Sequence, residues 1–149
     1  MNKPSIAVID ASLAVYSVIN TPMASLAENV MDYLQNNRIK LYAPRLWWYE
    51  VTSVFHKYLF DGLLTEKYAK DTLTIILNLA VNRVDEDDGL CRAAFEWATR
   101  LTQKPAHDSF YLAAAELLGA DFWTADQRLT NRAHQLGLDW VHWMGESFH

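Results

Sequence analysis

The sequence predicts an α/β domain whose mainly parallel central sheet is covered by helices on both faces. Short apolar runs rich in β-branched residues alternate along the chain with longer segments of helical periodicity. The length of 149 residues suits one domain, covering residues 1–149. Hydrophobic residues make up 51% and charged residues 21%, which is ordinary globular usage and excludes a disordered chain.

Five short segments are predicted as strands. The first, residues 5–9, is a continuous apolar run, as expected for a strand that is buried on both faces. The others have similar composition and are bounded by turn residues or by Pro44: residues 40–43, 83–84, 120–124 and 140–142.

Helices are predicted between these strands, and several have recognisable ends. Pro22 stands in a first turn, Thr65 is a candidate N-cap, and Gly119 and Gly137 are C-terminal stops. In residues 46–60 the apolar side chains fall within an arc of about 140° on a helical wheel. The predicted helices are a short one from residue 12, then 21–37, 46–60, 65–80, 88–102, 108–118 and 126–135.

The composition also indicates a compartment. Cys91 is the single cysteine, so neither an intrachain disulfide nor a cysteine zinc site can form. No run approaches the roughly 18 apolar residues that span a membrane, and Asp10 interrupts the apolar stretch near the start. We therefore expect a soluble, cytoplasmic protein.

Four acids are predicted to meet at one edge of the sheet. Asp10 follows the first strand, Glu50 lies in the helix after the second, Asp108 begins a helix, and Asp126 follows the strand 120–124. The carboxyl ends of parallel strands share an edge, where function gathers. Oxygen ligands without His or Cys suit Mg²⁺ or Mn²⁺, which would support phosphoryl chemistry by activating water.

Each acid also has a structural interpretation. Asp10, Asp108 and Asp126 each precede a helix, where Asp is a favoured N-cap. Glu50 lies beside the apolar arc of its helix, so its alternative is a surface glutamate at the edge of a buried stripe. The acidic run at residues 85–88 is predicted to be a solvated loop and helix cap, not a metal site.

Four short motifs in order resemble the PIN-domain family, and the length and single-domain form resemble its VapC-type toxins. The motifs are Ile9-Asp10-Ala11-Ser12, Pro44 through Glu50-Val51, His107-Asp108 through Leu112-Ala113, and Phe122 through Thr124-Ala125-Asp126 to Leu129. Together they span nearly the whole chain.

The resemblance implies a Mg²⁺- or Mn²⁺-dependent ribonuclease in a three-layer α/β/α fold. Its catalytic and metal-binding acids would be Asp10, Glu50, Asp108 and Asp126. Ser12 and Thr124 would position ligands or the phosphate through their hydroxyls. It also implies a toxin of a type II toxin-antitoxin pair, with a small antitoxin partner and homodimerisation. Many relatives carry a further acid three residues after the fourth, where this chain has Leu129.

The charge balance constrains how RNA would be bound. The formal charge is −5, but removing the four proposed ligand charges leaves −1. Arg128 and Arg132 lie one turn apart and are candidates for holding RNA phosphates. The alternative is that they pair with nearby acids.

Two further alternatives stay open. Tyr49, His56 and Phe60 form a second, partly apolar face on the helix 46–60, which would meet either a second copy of the chain or the helix 65–80. The chain would be either an active ribonuclease or a PIN-like RNA-binding or scaffold module with weak or no catalysis. The four acids in order indicate the first, and the missing acid at Leu129 and the few basic residues give some support to the second.

Overall fold

The computed structural model describes residues 5–102 and 106–146, which form five strands and seven helices. In chain order they are β1 (Ile6–Ile9), α1 (Ala11–Tyr16), α2 (Ala24–Asn36), β2 (Lys40–Pro44), α3 (Leu46–Phe60), α4 (Glu66–Leu77), β3 (Val81–Val84), α5 (Asp88–Arg100), α6 (His107–Leu118), β4 (Asp121–Thr124), α7 (Gln127–Gln135) and β5 (Val141–Trp143). None of the helices described is long and apolar enough to span a membrane.

The sheet has the strand order β3-β2-β1-β4-β5, and every pairing is parallel. The predicted α/β class with a mainly parallel sheet is confirmed. From β1 the chain first proceeds outward through β2 to β3, and then crosses back to β4 and β5 on the other side. Right-handed crossovers in opposite directions place their helices on opposite faces. Accordingly, α1 packs on α2 and α3, α3 packs on α4, and α5 packs on α6.

This topology creates a crevice beside the end of β1. After β1 the chain continues to β2 on one side of β1. The strand on the other side, β4, is reached only after β3, by a connection that runs back across the sheet. In open parallel sheets, ligands bind at such a switch point, outside the carboxyl ends of the strands. The residues that follow β1 and β4 therefore line the crevice.

Buried side chains on α6 and α3 pack these helices closely against the rest of the domain. Helix α6 crosses β1, β2 and β4, and its residues 111–115 are all buried, three of them alanines. The small alanine side chains let the helix backbone lie near the sheet, as close packing requires. On α3, Trp47, Val51 and Phe55 form the buried stripe that the helical wheel predicted.

Helix α4 ends earlier than predicted, at Leu77 instead of residue 80. The chain then turns, and β3 begins at Val81, which pairs with Leu41 of β2. The backbone at residues 81–82 pairs with β2, a strand about 40 residues earlier in the chain. The sequence pattern of the segment does not reveal this pairing.

The acidic run forms a loop and cap, as predicted, and also contacts α3. Asp87 caps α5 by accepting a hydrogen bond from the Leu90 amide at 2.8 Å. Asp85 pairs with Arg45 at 3.0 Å, and Glu86 accepts from the Leu46 amide at 3.3 Å. The loop thus satisfies backbone and side-chain groups at the start of α3.

Asp87→Ala should lower the free energy of unfolding by roughly 0.5–2 kcal/mol, because the first turn of α5 loses its side-chain acceptor. Urea denaturation of the purified chain measures the change. Asp88→Ala is the matched control, since Asp88 is the neighbouring acid within the first turn and is not the capping residue. An equal loss in both variants would show that charge near the helix end, and not the cap, is responsible.

Candidate active site

The four predicted acids lie at the carboxyl edge of the sheet, around the crevice between β1 and β4. Asp10 directly follows β1, Asp126 lies two residues after β4, Glu50 is in the second turn of α3, and Asp108 is the second residue of α6. Asp10 is buried, Glu50 and Asp108 are half-buried, and Asp126 is exposed.

The charge of Asp108 couples it to the other three acids. Burial is the main cause of the raised pKa values of Asp10 and Glu50, and the charge of Asp108 raises both further. The pKa of Asp108 is itself raised, first by burial and then by the charge of Asp126. The structure therefore brings Asp108 within electrostatic range of each of the other three carboxylates.

Asp10 is held from two directions. Its Oδ1 accepts a hydrogen bond from the Leu13 amide at 2.8 Å, which caps α1. Its Oδ2 accepts from Thr124 Oγ1 at 2.5 Å. These bonds favour the ionised form, but burial outweighs them and raises the pKa of Asp10 to about 7.

Thr124 joins the two strands that border the crevice. It is fully buried, and its hydroxyl donates to Asp10 while accepting from the Asp126 amide at 2.9 Å. One side chain thus fixes the carboxylate after β1 relative to the backbone after β4.

The capping interpretation holds for two of the three aspartates. Asp10 caps α1, and Asp126 caps α7 by accepting from the Leu129 amide at 3.0 Å. Asp108 is not the N-cap residue of α6, because that helix begins at His107 and has Ala106 at its N-cap position. Capping therefore does not explain why an acid stands at position 108.

Glu50 is positioned by a residue that sequence reasoning missed. Tyr111 donates a hydrogen bond from its hydroxyl to Glu50 Oε1 at 2.5 Å, so Glu50 is not a solvated surface glutamate. Tyr111 is buried and stacks on Phe122, with centroids 5.8 Å apart and an interplanar angle of 5°. Burial raises the pKa of Tyr111 well above its ordinary value, so it stays a donor. Tyr111 lies three residues after Asp108, on the same face of α6, and this spacing could have indicated from the sequence that its side chain is near the acids.

The carboxylate oxygens of the four acids are of the kind that binds a hard divalent cation. Carboxylate oxygens are the ligands that Mg²⁺ and Mn²⁺ prefer, and a nearby cation would offset the repulsion that raises these pKa values. Within residues 5–102 and 106–146, no three Asp, Glu, His or Cys side chains are already arranged to hold an ion. Asp10 and Glu50 instead accept hydrogen bonds from Thr124 and Tyr111.

The other predicted residues are exposed and make no hydrogen bond to the four acids among the residues that the structure describes. Ser12 is exposed in the first turn of α1, close to Asp10 in the chain. Arg128 and Arg132 are exposed on α7. Arg132 donates to Thr102 Oγ1 after α5, and Arg128 forms no ion pair with any residue that the structure describes. The alternative of pairing with nearby acids is therefore not observed for either arginine.

Asp121 and Glu116 were left out of the site, and both lie apart from it. Asp121 begins β4, at the opposite edge of the sheet, and its carboxylate lies 3.5 Å from His142. Burial opposes protonation of His142, but Asp121 and Glu146 raise its pKa overall. Glu116 is exposed, two turns along α6 from Asp108.

Solved structures with a similar fold include toxins and toxin-antitoxin complexes. VapC20 from Mycobacterium tuberculosis, a sarcin-ricin loop cleaving toxin, aligns with a TM-score of 0.63 at 13% identity, over 84% of this chain and 93% of that one. A toxin-antitoxin complex from Klebsiella pneumoniae aligns with a TM-score of 0.64 at 16% identity, over 95% of this chain and 99% of that one. VapBC2 from Rickettsia felis, bound to a fragment of its promoter DNA, aligns with a TM-score of 0.64 at 15% identity, over 93% of this chain and 96% of that one.

The sequence comparisons are consistent with that fold. No curated protein matches the chain at the sequence level. The family model described as the PIN domain matches residues 7–135, which include all four acids of the edge cluster. Because the match covers far more than half of the 149 residues, the chain belongs to the PIN-domain family.

Proposed function

We propose that this chain is a divalent-metal-dependent endoribonuclease that hydrolyses RNA phosphodiester bonds. The observation that carries the proposal is the convergence of Asp10, Glu50, Asp108 and Asp126 on the switch point of the sheet. Membership of the PIN-domain family supports it, as does the fold shared with a toxin that cleaves the sarcin-ricin loop. A side-chain nucleophile is not required by this chemistry.

The four carboxylates would hold Mg²⁺ or Mn²⁺. When bound, such an ion supplies an activated water and stabilises charge on the phosphate and leaving oxygens. Thr124 sets the orientation of Asp10, and Tyr111 sets that of Glu50, so these two neutral donors position the acids. Arg128, Arg132 and Ser12 would contact RNA phosphates beside the cluster, which limits basic contacts to a local patch.

We also propose that the chain is the toxin of a type II toxin-antitoxin pair and acts in the cytoplasm. The neighbours of its fold include a toxin-antitoxin complex from Klebsiella pneumoniae and VapBC2 from Rickettsia felis. The partner would be a small antitoxin that covers or disorders the acidic edge, because access to that edge is what the nuclease requires.

A second candidate function is an RNA-binding or scaffold module with weak or no catalysis. Leu129 favours it, since the position where many relatives have a fifth acid is occupied here by a side chain buried in the core. Fewer acids would bind a second ion more weakly.

Cleavage of structured and single-stranded RNAs should require Mn²⁺ or Mg²⁺ and should stop in EDTA. Asp10→Asn and Asp108→Asn should each lower the cleavage rate at least about 100-fold, because each removes a charged oxygen ligand. Glu116→Gln is the matched control for α6, since Glu116 is exposed away from the cluster. Gel analysis of end-labelled RNAs measures the rates.

Cleavage that survives chelation, or that persists in Asp10→Asn at the wild-type rate, would contradict the metal mechanism. Binding of RNA without cleavage across the panel would support the second candidate instead.

Stability should depend on pH and metal through Asp10. With its pKa raised from 3.8 to about 7, Asp10 stabilises the fold fully below about pH 4, and this contribution is lost as the pH rises through 7. Without metal, Asp10→Asn should therefore have the higher melting temperature at pH 8, and the difference should shrink toward pH 5. Differential scanning fluorimetry measures both variants.

Added Mg²⁺ should raise the melting temperature of the wild type more at pH 8 than at pH 6, since it binds the ionised cluster. An equal rise in Asp10→Asn would show that the ion binds elsewhere.

The exposed face of α3 supports the proposed homodimer. Tyr49 is 69% and Phe60 83% exposed, and His56 between them is also exposed, so packing against α4 does not cover this face. An apolar stripe on an exposed helix is typical of a protein interface. We propose that a second copy of the chain covers this face around His56 and Phe60, which leaves Tyr49, about two turns nearer the start of α3, accessible.

Phe60→Glu should convert a dimer into monomers, because it places a charge in the apolar contact. Light scattering during size-exclusion chromatography gives the mass. Phe95→Glu, a change at an exposed aromatic residue on α5, should leave the dimer intact. A monomeric wild type over the micromolar range would refute the dimer.

A further inference from the structure

We propose that a cleft beside the acidic cluster binds a single RNA base next to the scissile phosphate, an inference that rests on the proposed function. The cleft has a volume of about 230 Å³ and lies between the starts of α3 and α6. It is lined by Arg45, Leu46, Tyr49, Glu86, His107 and Phe110.

The cleft adjoins the proposed catalytic acids on both helices. On α3, Tyr49 directly precedes Glu50, and Leu46 lies one turn before it. On α6, His107 directly precedes Asp108, and Phe110 lies two residues after it. A phosphate held at the cluster would therefore place a neighbouring base of the same strand within reach of the cleft.

The walls of the cleft have the chemistry that binds an unpaired base. Tyr49 presents a ring that is 69% exposed, and Phe110 adds a second, half-buried ring. Single-stranded RNA is recognised largely by stacking its bases on aromatic side chains. Tyr49, Phe110 and Leu46 line the same cleft, so its walls offer apolar surface to a planar group.

The rim of the cleft is polar and held in place by bonds of its own. Arg45 uses its Nε and Nη2 groups on Asp85, at 3.1 and 3.0 Å. Glu86 uses Oε1 to accept from the Leu46 amide, and among the residues described no hydrogen bond occupies its Oε2. A fixed carboxylate oxygen repels phosphate and accepts from N–H groups. Adenine, cytosine and guanine offer exocyclic amino groups, whereas uracil offers only its ring N3–H between two carbonyls that the carboxylate repels, so we expect the rim to prefer the first three bases.

The test measures RNA binding instead of cleavage. Fluorescein-labelled ten-nucleotide oligomers of adenosine, cytidine or uridine are titrated with the full chain carrying Asp10→Asn, and fluorescence anisotropy gives Kd. Added Tyr49→Ala should weaken binding of the adenosine and cytidine oligomers roughly 5- to 100-fold, the loss of one base stack. Tyr49→Phe should stay within about twofold of its parent, because the ring remains.

Two controls make the result specific. Phe95→Ala removes an aromatic ring of matched exposure, 67%, on α5 and should leave Kd unchanged. Replacing one nucleotide after another with an abasic unit should reveal a position at which Tyr49→Ala no longer has an effect, because the stacked base is already missing.

Glu86→Gln tests the rim separately. Glutamine retains an oxygen acceptor for the Leu46 amide but offers the base an amide in place of a carboxylate. The preference for adenosine and cytidine over uridine should fall at least about threefold, since one charged hydrogen bond is lost. A preference that does not change would remove Glu86 from base selection.

The outcomes separate this inference from the proposed function. If neither Tyr49→Ala nor Phe95→Ala changes RNA binding, the base site is wrong, whereas the proposed ribonuclease activity is not contradicted. The cleft would then be a candidate contact for a protein partner. Failure of every oligomer and structured RNA to bind or be cleaved overturns both.

Discussion

The hydroxyl of Thr124 makes the contact on which the acidic edge depends, because it joins carboxylate and backbone groups that lie 114 and two residues away along the chain. Asp10 is buried at the end of β1, and a buried carboxylate without hydrogen bonds would be costly. Thr124 and the Leu13 amide supply those bonds. The position of Asp10 therefore requires β4 to lie beside β1, as it does in the sheet.

Helix α6 extends the same arrangement to α3. Its buried alanines allow it to cross the sheet closely, which carries Asp108 to the edge and Tyr111 to Glu50. Asp108 is not at the N-cap position of α6, and burial and the charge of Asp126 raise its pKa, with only His107 opposing the rise. A half-buried acid whose pKa is raised by burial and by a second acid is typical of a binding or catalytic site.

The sheet, and the placement of Asp10 and Asp126 at its carboxyl edge, could be predicted because they depend on local patterns and on one rule of parallel sheets. Apolar runs identify the strands, and the residue after each strand must lie at the carboxyl edge. Tyr111 could not be assigned to Glu50, since that contact joins residues 61 positions apart. The capping interpretation of Asp108 was wrong, because α6 begins at His107 and its N-cap position is Ala106, two residues before Asp108. The cleft likewise combines three distant segments, around Tyr49, Glu86 and Phe110.

The separation of β1 and β4 in the chain has a consequence for synthesis. Chains emerge from the ribosome N-terminus first and domains fold as units, so β1, β2 and β3 leave the ribosome well before β4. Until residues 121–126 emerge, Asp10 lacks its bond from Thr124, and the fourth acid does not yet exist. A nascent chain therefore cannot assemble the acidic edge while it is being made. Closure of the sheet by a nearly finished chain is therefore the earliest point at which the four acids can meet.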